Sequence, residues 1–461
     1  MKLTRFPLTT VAASLTLLFA AGSVSASQFY VQCPEDPDGA ITDPNDSGIV
    51  EGDLDSDGIA NNDYACIHVV GTDGYNMMAD GRRLYTFGFE NVSPTAAPQG
   101  GTPRELTGVP PEDFMKEIQL GGNQPAPTVV QREGQRWFIT LSNFPFTPRP
   151  DLFDAHTIHY HGFANANNFY DGVPEMSLAP NPLASLAYFY NLVDPGTYFY
   201  HCHVEATEHM QMGMFANLWV EPRQNQGACA AGYGPVECSG GYTINPGNYV
   251  YNDGDGTTAY NDEMPLMMLT YDAIFHDASE SVQPLDFLGM KDDYLMFNGR
   301  GYPDTVNPDT QIPNGDTDFA TRTNLGNPRP ADVANDGQSQ AAQKLPSIID
   351  VNSGETFLVR LSNLSTTDIL TLHSPAVPMR IVGTGARELR DEGASPNGAD
   401  TGIKRHFRTH SATLGGGRSY DILLDTAGIP TGTYFLYVSN LEFLSNNEQD
   451  IGGGMTEIRI N

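Results

Sequence analysis

Basic residues are scarce in this chain: 24 Lys and Arg stand against 56 Asp and Glu, a formal net charge of −32. That deficit argues against nucleic acid or an anionic membrane surface as a partner, and suits a solubilising surface or the attraction of cations. Beyond residue 26 no apolar run approaches the length needed to cross a bilayer, so no membrane span is expected in the mature chain. Long amphipathic helical stretches are missing too, whereas 47 Gly and 33 Pro punctuate the sequence at short intervals. That pattern predicts an all-β protein of many short strands. Cysteine is sparse: of the 5 present, only Cys202 falls in the middle of a strand-rich unit. This weighs against structural zinc, which favours several cysteines or paired C-x-x-C units.

The chain opens on a basic MKLTRF, an apolar TTVAASLTLLFAAG and the small residues Val24-Ser25-Ala26. These read as an export signal over residues 1–26 and predict a periplasmic or extracellular protein. Residues 27–84 read as an irregular, acidic extension. Within it Asp53, Asp55 and Asp57, followed by Gly58, resemble the opening of a calcium loop, but Tyr64 stands where a bidentate acid belongs. Calcium and a solvated acidic loop are equal expectations there. An oxidising compartment suits disulfides between Cys33 and Cys66 and between Cys229 and Cys238, which would leave Cys202 free. That pairing rests on proximity in sequence, since four cysteines allow three connectivities.

Two β-rich units follow and resemble each other. PTVVQREGQRWFITLSN (127–143) matches PSIIDVNSGETFLVRLSN (346–363), and each copy later reaches a Gly-Thr-Tyr-Phe run, at 196–199 and 432–435. Alternating apolar residues in both copies suit half-buried strands, so each unit is expected to form a two-sheet β-sandwich. The boundaries are 85–222 for the first and 263–461 for the second, with 223–262 as a glycine- and asparagine-rich linker.

His156, His159, His161, His201, His203 and His209 are six of the chain's 11 histidines, and they gather in two motifs, HTIHYHG and YFYHCHVEATEHMQMGM. Cys202, His209 and Met214 supply a thiolate, an imidazole and a thioether; with His156 they make the donor set of a blue-copper site, two histidines and a cysteine with a weak axial methionine. Adjacent strand residues point to opposite faces, so His201 and His203 are expected to face away from Cys202, toward a second site with His159 and His161. Met176, Met210 and Met212 are read as packing, with 210, 212 and 214 alternating along a strand. His68, His276, His406 and His410 lie outside any ligand pattern.

HTIHYHG, PGTYFYHCH, HMQMGM and FNGRGYPDT (297–305) make the chain resemble a two-domain member of the multicopper oxidase family, laccase-like, over roughly residues 85–461. The resemblance implies two Greek-key cupredoxin domains. It also implies type 1 copper held by His156, Cys202, His209 and Met214, with type 2 and type 3 copper at His159, His161, His201 and His203. The donor would be a small molecule, a metal ion or a redox protein, dioxygen would be the acceptor, and the assembly a homotrimer. Two departures stand out. VEATE lengthens the loop between His203 and His209 by two residues relative to the family. A complete trinuclear centre there takes eight histidines from four H-x-H motifs, whereas this chain has two such motifs, both in the first unit; the second unit is degenerate, with His373 alone where the family often has a histidine-rich loop. The leading expectation is a copper oxidase whose second centre is completed by His373 or by another subunit. The alternatives are a blue-copper electron carrier or copper-binding module, and a nitrite reductase-like enzyme.

Overall fold

The computed structural model describes residues 64–80, 82–91, 119–122, 124–126, 128–163, 167–226, 246–281, 284–306, 346–391 and 402–461. The export signal expected over residues 1–26, the calcium-like aspartates 53, 55 and 57, and Cys33, Cys229 and Cys238 lie outside the described residues.

The first unit contains β1 (Tyr64–Met77), β2 (Arg83–Asn91), β3 (Val129–Arg132), β4 (Arg136–Asn143), β5 (His159–His161), β6 (Ser185–Asn191), β7 (Gly196–His201) and β8 (Phe215–Glu221). They form two four-stranded sheets, ordered β2-β1-β4-β6 and β3-β8-β7-β5. Between the sheets lies one apolar core, including Val69, Phe87, Trp137, Ile139, Tyr188, Tyr200 and Leu218.

The second unit repeats this plan. Its strands are β9 (Asp262–Tyr271), β10 (Tyr294–Phe297), β11 (Ile349–Val351), β12 (Thr356–Asn363), β13 (Leu370–His373), β14 (Met379–Thr384), β15 (Arg387–Glu388), β16 (Phe407–Thr409), β17 (Ser411–Leu414), β18 (Arg418–Asp425), β19 (Gly432–Val438) and β20 (Met455–Ile460). One sheet runs β10-β9-β12-β18-β14-β15 with β16 on β14, and the other β11-β20-β19-β13-β17. The repeat seen in sequence reappears in the pairing: β4 lies parallel to β1 and antiparallel to β6, as β12 lies parallel to β9 and antiparallel to β18. Among the described residues the structure is all-β with two short α-helices, α1 (Ala206–Met212) and α2 (Ala273–Ser281).

Two boundaries differ from expectation. The extension read as irregular to residue 84 contains β1, which pairs with β2 and β4. Ile67, Val69, Val70, Thr72 and Asp73 are all buried. A strand covered on both faces loses the polar–apolar alternation by which strands are recognised, and the Gly-Thr-Asp-Gly run within it reads as loop. The stretch read as a linker also departs: Val250, Tyr251 and Tyr260 pack with Leu358, Val382 and Leu423 on the outer face of the second unit. Gly383 makes room there, since a Cβ would lie 1.9 Å from the Tyr251 hydroxyl oxygen.

The two units meet around buried Arg360. Its Nε lies 2.5 Å from Glu263, its Nη1 3.6 Å from Asp421 and 3.2 Å from the Thr197 hydroxyl of β7, and its guanidinium lies over the Trp219 ring.

Candidate metal centre

β5 and β7 pair so that His159 faces His201 and Tyr160 faces Tyr200. Strand alternation sends the two tyrosines into the core, where both are buried. The histidines emerge on the opposite face. Cys202, one residue beyond β7, turns back into the core and meets His156 and His209. Its Sγ lies 3.1 Å from His209 Nδ1 and 3.9 Å from His156 Nδ1, and all three side chains are buried. In a trigonal site with metal bonds of about 2.0–2.3 Å, ligand atoms stand roughly 3.5–4 Å apart. The His156 pair fits that spacing, and the His209 pair needs only a small opening.

Met214 is also buried and reaches the same point as His156: a Cβ on Gly71 of β1 would lie 2.8 Å from His156 Cδ2 and 3.2 Å from Met214 Cε. Gly71 therefore provides the space in which the ring and the thioether sit. The Thr157 amide donates to Cys202 Sγ at 3.4 Å, and the Cys202 amide donates to the Met214 carbonyl at 3.0 Å. Hydrogen bonds to a ligating sulfur tune the potential of a metal held there.

The longer ligand loop folds as α1. Glu205 enters it in a left-handed conformation (φ 44°), and Gly213 ends it at φ 112°, with its amide bonded to the His209 and Met210 carbonyls. No Cβ fits at Gly213, because the Gln124 side chain fills the space; Gln124 in turn donates to the Met212 carbonyl. This corrects the strand expected over 210–214. Met210 and Met212 are helical; Met212 is buried packing, whereas Met210 lines a cavity beside the second cluster.

His209 carries the site's outer edge. Its Nε2 is buried without a hydrogen-bond partner and stands 3.9 Å from the Asp154 carboxylate. Burial opposes a charge on this ring, but the Cys202 sulfur and the Asp154 carboxylate outweigh it and push the imidazole up to about 10. His156 moves the other way, well below the ordinary imidazole value, through burial and repulsion from His209.

The second cluster is built from His159, His161 and His201, whose donor atoms lie within 4.8 Å of one another. Each ring is oriented through Nδ1 by a backbone carbonyl: Asp171 for His159 at 2.5 Å, Gly417 for His161 at 3.2 Å, Cys202 for His201 at 2.7 Å. That turns the Nε2 atoms toward one another, those of His161 and His201 standing 3.1 Å apart, where a common ion could be held. Carbonyl-to-imidazole contacts of this kind fix ligand tautomers at metal sites. Burial lowers all three, His161 to about 4 and His201 well below its ordinary value. They are neutral, as ligation requires. His203 lies alongside, its ring 5.0 Å from that of His159 and 5.6 Å from that of His201.

His373 does not complete this cluster within the chain. It sits on β13 with Nδ1 2.8 Å from the Ser411 hydroxyl and its ring against Tyr437, and it is absent from the cavity wall. The histidines read as ordinary each have a polar neighbour: His68 has Ser142, His276 lies between the Tyr85 and Gln211 carbonyls, His406 has Glu388 and His410 has the Ser374 carbonyl. Met176 is exposed rather than packed. Sequence reasoning missed Gly71, Gln124, Asp154 and Gly417, which act across the fold on residues distant in sequence and belong to no local motif.

Residues 108–225 match the sequence profile of the family described as multicopper oxidase. Multicopper oxidase MCE of Talaromyces pinophilus is 32% identical over 111 residues, 23% of this chain and 17% of that protein. Multicopper oxidase VdtB of Byssochlamys spectabilis is 30% identical over 115 residues, 24% of this chain and 16% of its own length. The matching segment thus spans about a sixth of these relatives. Among solved structures, a blue copper oxidase from Nitrosomonas europaea superposes with a TM-score of 0.54 at 18% identity, covering 86% of each chain. Residues 108–225 are thus similar in sequence to multicopper oxidases, and the chain as a whole shares the cupredoxin-like fold of that solved structure.

Proposed function

We propose that this chain is a copper oxidoreductase of multicopper oxidase type: it oxidises a donor one electron at a time and passes the electrons to a second copper centre and dioxygen. The observation that carries this reading is the opposed pair of sites joined by Cys202. The residue that would hold type 1 copper with His156, His209 and Met214 is flanked by His201 and His203, which face the other cluster. Copper suits both donor sets, soft sulfur with imidazole in one and imidazole alone in the other, and supplies one-electron redox chemistry at each.

The protein's own residues do the rest. Phe87 and Phe146 pack against the His209 and His156 rings and, with their burial, keep water from the sulfur. His209 presents its Nε2 edge toward Asp154, so a donor docked there lies one ring from the site, and the carboxylate can take a proton that the donor releases. From Cys202 the backbone leads through a few covalent bonds to His201 and His203. Whether the donor is a small molecule, a metal ion or a redox protein is a property of that surface. The basic and apolar start of the chain supports export; among the described residues no helix is long and apolar enough to cross a membrane.

The deciding experiment changes His161 and His203 together to alanine. The blue absorption should persist while dioxygen consumption is lost, because type 1 copper stays reducible with no outlet. If the wild type, fully loaded with copper, shows a blue band but consumes no dioxygen with strong one-electron donors, an electron carrier replaces the oxidase.

A further inference from the structure

Building on the oxidoreductase reading, we infer that the second centre holds a single copper, bound by Nε2 of His159, His161 and His201, and that the chain consequently reduces dioxygen by two electrons, to hydrogen peroxide. Three observations support it.

The first is the imidazole inventory. All 11 histidines fall among the described residues. His156 and His209 face Cys202, and His68, His276, His406 and His410 are each held by another group. This leaves His159, His161, His201 and His203 in place, with His373 held by Ser411 on β13 and absent from the cavity lining.

The second is preorganisation. Three rings, each with Nδ1 fixed by a carbonyl, bring three donor nitrogens within 4.8 Å of one another. One of those carbonyls, that of Gly417, comes from the second unit, whose contribution is thus to orient a ligand and not to supply one. His203 stands outside the tight group.

The third is the opposite wall. The cavity beside the cluster, about 460 Å³, is lined by His161, His201 and His203 of the first unit and by Thr366, Asp368, Ile369 and Gly417 of the second. The second unit lines it with hydroxyl, carboxylate and backbone groups and the Ile369 side chain, and with no imidazole.

One copper at each site stores two electrons per chain. Two donor molecules each lose one electron. Dioxygen gains two electrons and two protons from solvent, which reach it past Asp368, the acid on that wall. The O–O bond stays intact and hydrogen peroxide leaves.

The test loads the full chain with copper(II), removes excess metal, and measures copper per chain, integrated paramagnetic spins per copper, and peroxide formed per dioxygen consumed. The expected result is two coppers per chain, every oxidised copper visible as a spin, and one peroxide per dioxygen. His159→Ala should lower the copper content from two to one with the blue band intact. Gly417→Ala should weaken the second copper selectively, since its Cβ would come within 3.1 Å of His161 Cε1. Thermal melting and the retained blue band report folding of both variants. More than two coppers, a spin-silent pair, or water as the product overturns the inference. Absence of the blue band would instead strike the oxidoreductase reading, and a wild type that loads two visible coppers yet consumes no dioxygen would refute the peroxide step.

Discussion

The two sandwiches share one topology and hold opposite contents. Across β5 and β7 His159 pairs with His201; at the same place in the second unit, across β13 and β19, His373 pairs with Tyr437. One residue beyond, Val438 stands where the first unit has Cys202, and Leu370, three residues before His373, stands where His156 precedes His159. Gly71 is paired with Asn143 at the end of β4, and its counterpart Met268 is paired with Asn363 at the end of β12. The positions of His156, Cys202 and Gly71 have thus become apolar in the second unit, where Leu370, Val438 and Met268 are buried in its core. The sandwich is held by alternating apolar strands and does not need a metal site; the first unit gives up part of its core to make one.

Comparing the units suggests ways to perturb the first. Cys202→Ser brings it nearest the condition of the second, and should abolish the intense blue absorption altogether while circular dichroism and the melting transition stay close to those of the parent. Thiolate-to-copper charge transfer needs the sulfur, whereas the fold persists around Val438 without one. Retention of the blue band in that variant would refute the ligand assignment.

Arg360→Ala attacks the seam between the units. Glu263 and Asp421 would lose their buried partner, and breaking a buried ion pair from one side costs about 3–5 kcal/mol. Urea unfolding should show that loss, and a change below about 1 kcal/mol would mean the carboxylates find water instead.

Gly71→Ala tests the space over the first site. With 2.8 Å between the new Cβ and His156 Cδ2, the ring must shift, so the blue band should move or weaken while copper remains bound. The Met268→Ala counterpart touches no ligand and should leave the spectrum unchanged while lowering stability by about 2–5 kcal/mol.

The smallest effect concerns protons. Burial holds His161 down to about 4 in the folded, metal-free protein, while an unfolded histidine titrates near about 6.5. Between those values the unfolded chain binds the extra proton, so this residue makes stability fall as pH drops through the window. His161→Gln removes that proton, and the stability-versus-pH curve of the metal-free protein should flatten between pH 4 and 6.5. An unchanged slope would place the ring in solvent.

Much of this was legible from local pattern. The duplicated PTVV and PSII runs with their trailing strands foretold two all-β units, because alternation and turn residues are written along the chain. HTIHYHG and YFYHCH foretold two opposed clusters, because a strand turns successive side chains to opposite faces. The sequence by itself thus determined which residues gather and which way they point. It misplaced β1, whose burial on both faces erases alternation, and it took α1 for strand because a seven-residue helix between Glu205 and Gly213 leaves too short a period to read. Only the tertiary structure decided that Gly71 leaves room for His156, that Asp154 stands beside the outer edge of His209, and that the second unit offers the histidine cluster the Gly417 carbonyl and the Asp368 carboxylate in place of imidazoles. Those contacts join residues far apart along the chain, and it is the packing of one sandwich on the other that brings them within reach.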